Sequence, residues 1–252
     1  MRFNEKVIVV TGGSTGIGLA TAQAFAKEGA TVVIADVDDD NSMSAVRTIT
    51  ESGGRAERII CDVSRESDVA STMEEVVGRY GRIDCAFNNA GVEGTSSEIA
   101  DYSFESWERV IGVNLTGVFL CMKHEIRQML LQGGGTIVNN ASILGAVGFN
   151  GAAAYAAAKH GVLGLTKVAA LEYAARGIRV NSVCPGFVAT PMLERAGILS
   201  SPETRSAIEN LHPIHRLGRP EEIANAVLWL CSEEASFIHG QGVFVDGGYL
   251  AQ

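Results

Sequence analysis

Short, continuously apolar runs recur along the chain, separated by longer segments in which apolar residues return every three or four positions. The runs fall at residues 7–10, 31–35, 58–61, 84–87, 136–139, 179–184 and 243–246. Continuous rather than alternating hydrophobicity predicts strands buried on both faces, as in a parallel sheet. Helical periodicity occupies residues near 16–28, 39–52, 65–80, 105–131, 152–175 and 220–232. Repeated strand–helix units predict an α/β protein. A doubly wound open sheet and an eight-stranded barrel both fit such a pattern. A glycine-rich turn directly after the first run favours the former. We therefore expect a single doubly wound (Rossmann) domain over 1–252, with a seven-stranded, mostly parallel sheet and helices on both faces.

Two departures from the alternation carry information. All five prolines (Pro185, Pro191, Pro202, Pro213 and Pro220) follow residue 184, and regular periodicity lapses between the first and last of them. A long irregular insert in a compact domain commonly covers a binding site, so residues 187–217 are expected to cover the substrate. Two helices are apolar nearly all round, one carrying Trp107, Val110, Val118 and Phe119, the other Val162, Leu165, Val168 and Leu171. The sheet covers one side of such a helix, and another subunit is expected on the other.

Composition narrows the class. The 252 residues are 46% hydrophobic and 19% charged, which is a globular balance. No apolar run reaches transmembrane length, and a secretory signal is absent from the expected reading. A formal charge of −9 argues against nucleic-acid binding. Cys61, Cys85, Cys121, Cys184 and Cys231 form no Cys-x-x-Cys pair, which fits a reducing cytoplasm better than a disulfide framework or zinc site. The five histidines lack metal-ligand spacing, and no metal is expected.

Candidate chemistry lies in three places. Thr11-Gly12-Gly13-Ser14-Thr15-Gly16-Ile17-Gly18 sits between the first strand and the first helix. There, glycines let backbone N–H groups approach a diphosphate at a helix N-terminus. Asp36 ends the second strand, where a carboxylate accepts hydrogen bonds from ribose hydroxyls and repels a 2′-phosphate. No Lys or Arg occupies 12–18 or 35–40, so NAD(H) is expected over NADP(H). Tyr155 and Lys159 are four residues apart, hence on one helix face, with Ser142 upstream. That spacing alone also describes two neighbours on a solvated helix.

Taken together, the turn at 11–18, Ser142 and Tyr155-x-x-x-Lys159 make the chain resemble the short-chain dehydrogenase/reductases, the branch with an Asn-Ser-Tyr-Lys catalytic set. Asp62-Val63, Asn88-Asn89-Ala90-Gly91, Asn114, Pro185-Gly186 and Thr190 match further family motifs in the same order. The resemblance implies that Gly12, Gly16, Ile17 and Gly18 cradle the diphosphate, with Ser14 or Thr15 near the adenosine ribose. Asp62 and Val63 are then expected at the adenine, and Asn89, Ala90 and Gly91 along the way to the nicotinamide ribose. Pro185, Gly186, Val188 and Thr190 are expected around the nicotinamide.

Tyr155 is implied as general acid/base, Ser142 as hydrogen-bond donor to the reacting oxygen, and Lys159 as binder of the ribose and, with help from the positive nicotinamide ring, depressor of the phenol's pKa. Moving a phenol from about 10 to about 7 needs roughly 4 kcal/mol of preferential phenolate stabilisation. Asn114 is implied to hold a water linking Lys159 to solvent; a structural Asn that bends the helix is the other reading. Val92, Glu93, Leu144, Phe149, Phe187 and Met192 are candidate walls for a small cyclic or aryl-alkyl alcohol or ketone. A homotetramer is the expected assembly. A 3-oxoacyl thioester reductase and a non-catalytic nucleotide-binding regulator remain alternatives.

Overall fold

In the computed structural model, which describes residues 1–252 except Ile198, the apolar runs form one seven-stranded sheet. Its strands are β1 (Val7–Thr11), β2 (Thr31–Asp36), β3 (Arg55–Ile60), β4 (Cys85–Asn88), β5 (Gly135–Asn140), β6 (Ile178–Pro185) and β7 (Gly242–Val245). Their order is β3-β2-β1-β4-β5-β6-β7, and every pairing is parallel. Because β2 lies on one side of β1 and β4 on the other, successive crossovers leave β1 in opposite directions. A crevice opens there at the carboxyl ends of the strands, where open α/β sheets bind ligands.

Burial on both faces explains the unbroken apolar runs. Ile8 and Val10 join Phe25, Ile34 and Phe87 in one core, beneath α1 (Gly16–Lys27) and α9 (Pro220–Cys231). Val7 and Val9 face the opposite core with Val33, Ala86 and Ile137, beneath α3 (Glu66–Tyr80), α5 (Gly117–Gln132) and α6 (Ala153–Tyr173). Each fully buried valine or isoleucine contributes about 1.5–3 kcal/mol, so one polar substitution in β1 would damage a core on either side. Helix α2 (Asp39–Glu51) flanks the edge strand β3, which begins at Arg55 rather than at residue 58. Its charges hid the start: Glu57 pairs with Arg79 and Arg58 with Asp39, as suits a strand with one open edge.

Two other expectations need correction. The long helix expected over 105–131 is interrupted: α4 (Phe104–Ile111) passes through a π turn at Gly112–Thr116 into α5. The break fits its neighbours. A Cβ on Gly117 would stand 2.8 Å from the Val63 side chain, and the Asn114 amide is bonded to a neighbouring loop. Secondly, the irregular segment contains α7 (Pro191–Arg195) and α8 (Pro202–Glu209). Pro191, Pro202 and Pro220 all begin helices, where the missing N–H is harmless, instead of merely interrupting structure. The segment leaves and rejoins the domain where Val188 pairs with Gly218. No helix among the described residues is long and apolar enough to cross a membrane.

Candidate active site

The crevice is lined at one end by the turn between β1 and α1. Gly12 and Gly16 have φ of 59° and 54°, a region that side chains disfavour. A Cβ on Gly12 would lie 2.8 Å from the Ala90 Cα. Gly18 works differently from its expected part in a diphosphate cradle. It is absent from the cavity wall, and a Cβ there would fall 2.0 Å from the Gly12 carbonyl oxygen. Its smallness lets α1 pack against the turn.

Hydrogen bonds tie this turn to the end of β4. The main-chain N–H groups of Asn89 and Ala90 donate to Thr11 Oγ1 at 3.0 and 3.1 Å. Asn89 Nδ2 donates to the carbonyls of Thr11 and Gly12 at 3.0 and 2.8 Å. The two strand ends flanking the crevice are thereby held in one geometry.

A cavity of about 410 Å³ runs along these strand ends. Its wall includes Gly12, Ser14, Thr15, Gly16, Ile17, Asp36, Asp62, Val63, Asn89, Ala90 and Gly91. Ser142, Tyr155, Lys159, Pro185, Gly186, Val188 and Thr190 line it further on. The Asp36 carboxylate accepts from the main-chain N–H of Ser14 at 3.0 Å and of Asp38 at 3.2 Å, which orients it beside the glycine turn. Asp62 Oδ1 accepts from both the main chain and the hydroxyl of Ser64, so one oxygen shapes the entry to α3. Asn140, also in the wall, leaves its Oδ1 buried without a partner. Backbone space that a side chain would fill, an oriented carboxylate and an orphaned acceptor suit a dinucleotide.

Tyr155 and Lys159 reach the cavity from α6, with Ser142 just beyond β5. Lys159 is buried, and its ammonium donates to the Asn140 carbonyl at 2.6 Å. It stands 5.4 Å from the centre of the Tyr155 ring. Burial lowers Lys159 to about 8. Burial also pushes Tyr155 up to about 12, with Ser142 pulling the other way and the Glu93 carboxylate adding to the rise. Lys159 is not among the groups that move Tyr155 in the protein alone, and the expected depression also calls on the positive nicotinamide ring. Lys159 spends its shortest hydrogen bond on Asn140, and dehydration raises the cost of either charge. Ser142 Oγ accepts from the Leu144 N–H at 3.1 Å, which fixes the hydroxyl's position on the turn.

Asn114 is buried and outside the cavity wall. Its Oδ1 accepts from the Val92 N–H and its Nδ2 donates to the Val92 carbonyl, both at 2.8 Å. The side chain holds the loop after β4, as the structural reading expects, and two bonds leave one N–H and one oxygen lone pair of the amide uncommitted.

Of the expected substrate walls, Val92 and Met192 line the cavity. Leu144 is buried in the turn after Ser142, and Glu93 sits outside the wall, paired with Arg195. Phe149 and Phe187 pack edge-to-face, 5.7 Å between ring centres, and Phe187 lines a smaller cavity with His212. Leu193 and Arg195, from the segment expected to cover the substrate, belong to the main wall, as do Asn140 and Val113, which were not anticipated. Of these two, Asn140 had a signal, as the second member of an Asn-Asn doublet like Asn88-Asn89.

Known proteins carry the same chain organisation. A family profile described as enoyl-(acyl carrier protein) reductase matches residues 12–250. Cyclohexanol dehydrogenase of Acinetobacter sp. (strain SE19) is 42% identical over 251 residues, covering 100% of this chain and 97% of the relative. Cis-4-hydroxycyclohexanecarboxylate dehydrogenase of Sinomonas cyclohexanicum is 44% identical, covering 99% and 98%. The 3-oxoacyl-[acyl-carrier-protein] reductase of Thermotoga maritima is 40% identical, covering 99% and 100%. Among solved structures, a short-chain type dehydrogenase/reductase from Mycobacterium marinum superposes with a TM-score of 0.94 at 35% identity, covering 99% of this chain and 97% of that one. With its glycine turn, Ser142, Tyr155 and Lys159 gathered on one cavity, this chain belongs to the short-chain dehydrogenase/reductase family of oxidoreductases.

Proposed function

We propose that the protein is an NAD(H)-dependent oxidoreductase that interconverts a small cyclic or aryl-alkyl secondary alcohol and its ketone. The observation that carries this reading is the single cavity joining Asp36 and the glycine turn to Ser142, Tyr155 and Lys159. When bound, the nicotinamide supplies hydride transfer to or from the substrate carbon. Gly12 and Gly16 give its diphosphate access to the turn, Asp36 accepts from the adenosine ribose, and Lys159 donates to the second ribose. Ser142 donates to the substrate oxygen and orients it. Tyr155 takes the hydroxyl proton during oxidation and returns it during reduction.

A phenol at about 12 in the protein alone is almost wholly protonated at neutral pH, so little phenolate is present to act as base. Positive charge entering the cavity lowers it, so the proton-transfer competence of Tyr155 depends on the oxidised nicotinamide being in place. The exposed faces of α4, α5 and α6 include Trp107, Phe119, Val168 and Leu171. They support a homotetramer, and the free buried cysteines are compatible with a cytoplasmic setting.

The names of the cyclohexanol and hydroxycyclohexanecarboxylate dehydrogenases favour a cyclic alcohol. The Thermotoga relative favours a second reading, reduction of a 3-oxoacyl thioester. Asp36 speaks against that where NADPH is required. NADH formation with cyclic secondary alcohols, cyclic diols and hydroxysteroids, beside NADPH consumption with a 3-oxoacyl thioester, separates the two. Equal or better efficiency with the 2′-phosphorylated cofactor would overturn the assignment of NAD(H). Asp36→Ala should raise relative use of NADP⁺ by about tenfold or more, the value of removing one close like-charge repulsion.

A further inference from the structure

Helix α7 lines the cavity through Pro191, Met192, Leu193 and Arg195. At its start, Thr190 lies over the glycine turn, since a Cβ on Gly16 would be 3.3 Å from Thr190 Cγ2. Midway, the Met192 methyl group stands 3.8 Å from where a Cβ on Gly91 would be. At its end, Arg195 Nε donates to Glu93 Oε1 at 3.1 Å. Glu93 is held in turn from α4, because Arg109 donates to its main-chain carbonyl at 2.8 Å. Among the described side chains of residues 189–210, Arg195 alone makes a hydrogen bond beyond the covering segment 187–217.

We propose that Glu93 and Arg195 are positioning residues whose ion pair fastens α7 over the substrate end of the cavity. Which end takes the substrate rests on the proposed function; the fastening does not. Glu93→Gln, Arg195→Gln and the double variant test it in the NAD⁺-saturated protein.

Each single variant should speed hydrogen exchange over residues 191–209 by about two- to fivefold, the scale of a partly exposed ion pair, and raise KM more than it lowers kcat. The double variant should add little to either single one. Unchanged exchange in both single variants overturns the fastening. Faster exchange in a protein that oxidises no alcohol leaves the fastening standing and removes the assigned reaction.

Discussion

Two asparagine doublets end neighbouring strands, and the two members of each doublet live in opposite surroundings. Asn88 and Asn139 are partners across β4 and β5, and Ser182 continues the row onto β6. Asn88 Nδ2 donates to Glu125 Oε2 and Asn139 Oδ1, both at 3.0 Å. Asn139 Nδ2 donates to Thr166 Oγ1 at 2.9 Å, and that hydroxyl lies 2.7 Å from Ser182 Oγ. The row is sealed beneath α5 and α6. One residue further on, Asn89 and Asn140 face the cavity, where Asn140 Nδ2 donates to Asn89 Oδ1 at 3.0 Å and the Asn140 carbonyl receives Lys159. Successive strand residues point to opposite faces, so adjacent identical residues serve a closed network and an open site.

Each region also holds a buried ionisable group, with a different consequence. Burial raises Glu125 to about 8 against the pull of Asn88, so at neutral pH it is a protonated, uncharged member of the row. Lys159, lowered to about 8, borders space that an anionic or hydroxylated ligand can enter. A sealed charge is suppressed by its surroundings. One beside a cavity awaits a partner from outside.

The sharpest separation should come from Tyr155→Phe, which is expected to cut turnover about 10²–10⁴-fold while leaving NADH affinity and melting temperature nearly unchanged. Substantial residual turnover, measured as kcat with a cyclic alcohol, would remove Tyr155 from its role. Glu125→Gln should do the reverse. In the native protein Glu125 keeps its proton between pH 4.5 and about 8, while the unfolded chain loses it, so this residue lowers stability as pH rises through that window. The loss is on the order of 4 kcal/mol at pH 8 and absent below pH 4.5. Glutamine has no proton to lose. Its advantage in melting temperature over the parent protein should grow from pH 5 to pH 8, with kcat unaltered, and a constant difference across that range would break the comparison.

Within the doublets, Asn139→Ala strands Asn88 and Thr166 and should cost about 1–3 kcal/mol in denaturant unfolding, with cofactor affinity preserved. Asn140→Ala should change stability least and weaken NAD⁺ binding by roughly tenfold, as read by fluorescence titration. Equal stability losses in these two variants would mean that the two faces are one network.

Much of this was legible along the chain because the relevant constraints are local. A glycine turn after the first apolar run, an acid at the end of the second and a Tyr–Lys pair at helical spacing announce themselves within a few residues. The edge strand β3 was read late because its charges mask the apolar run, and the break at Gly112–Thr116 went unseen because apolar periodicity continues through a π turn. The contacts the fold gives Gly18, Asn114 and Glu93, to the Gly12 carbonyl, to the Val92 backbone and to Arg195, went unseen in the sequence. The partners of Asn114 and Glu93 are distant in sequence, 22 and 102 residues away.

By itself the amino-acid sequence determined the doubly wound architecture and the position of the glycine turn, since burial periodicity and glycine conformation act over short stretches, while Ser142, Tyr155 and Lys159 stood out through the family resemblance. Tertiary structure alone decided which asparagine of each doublet meets the cavity, that Lys159 rests on Asn140 with Tyr155 left at high pKa, and that α7 is tied to Glu93. Each of those depends on which faces and strand ends are brought together, and on how much water is excluded when they meet.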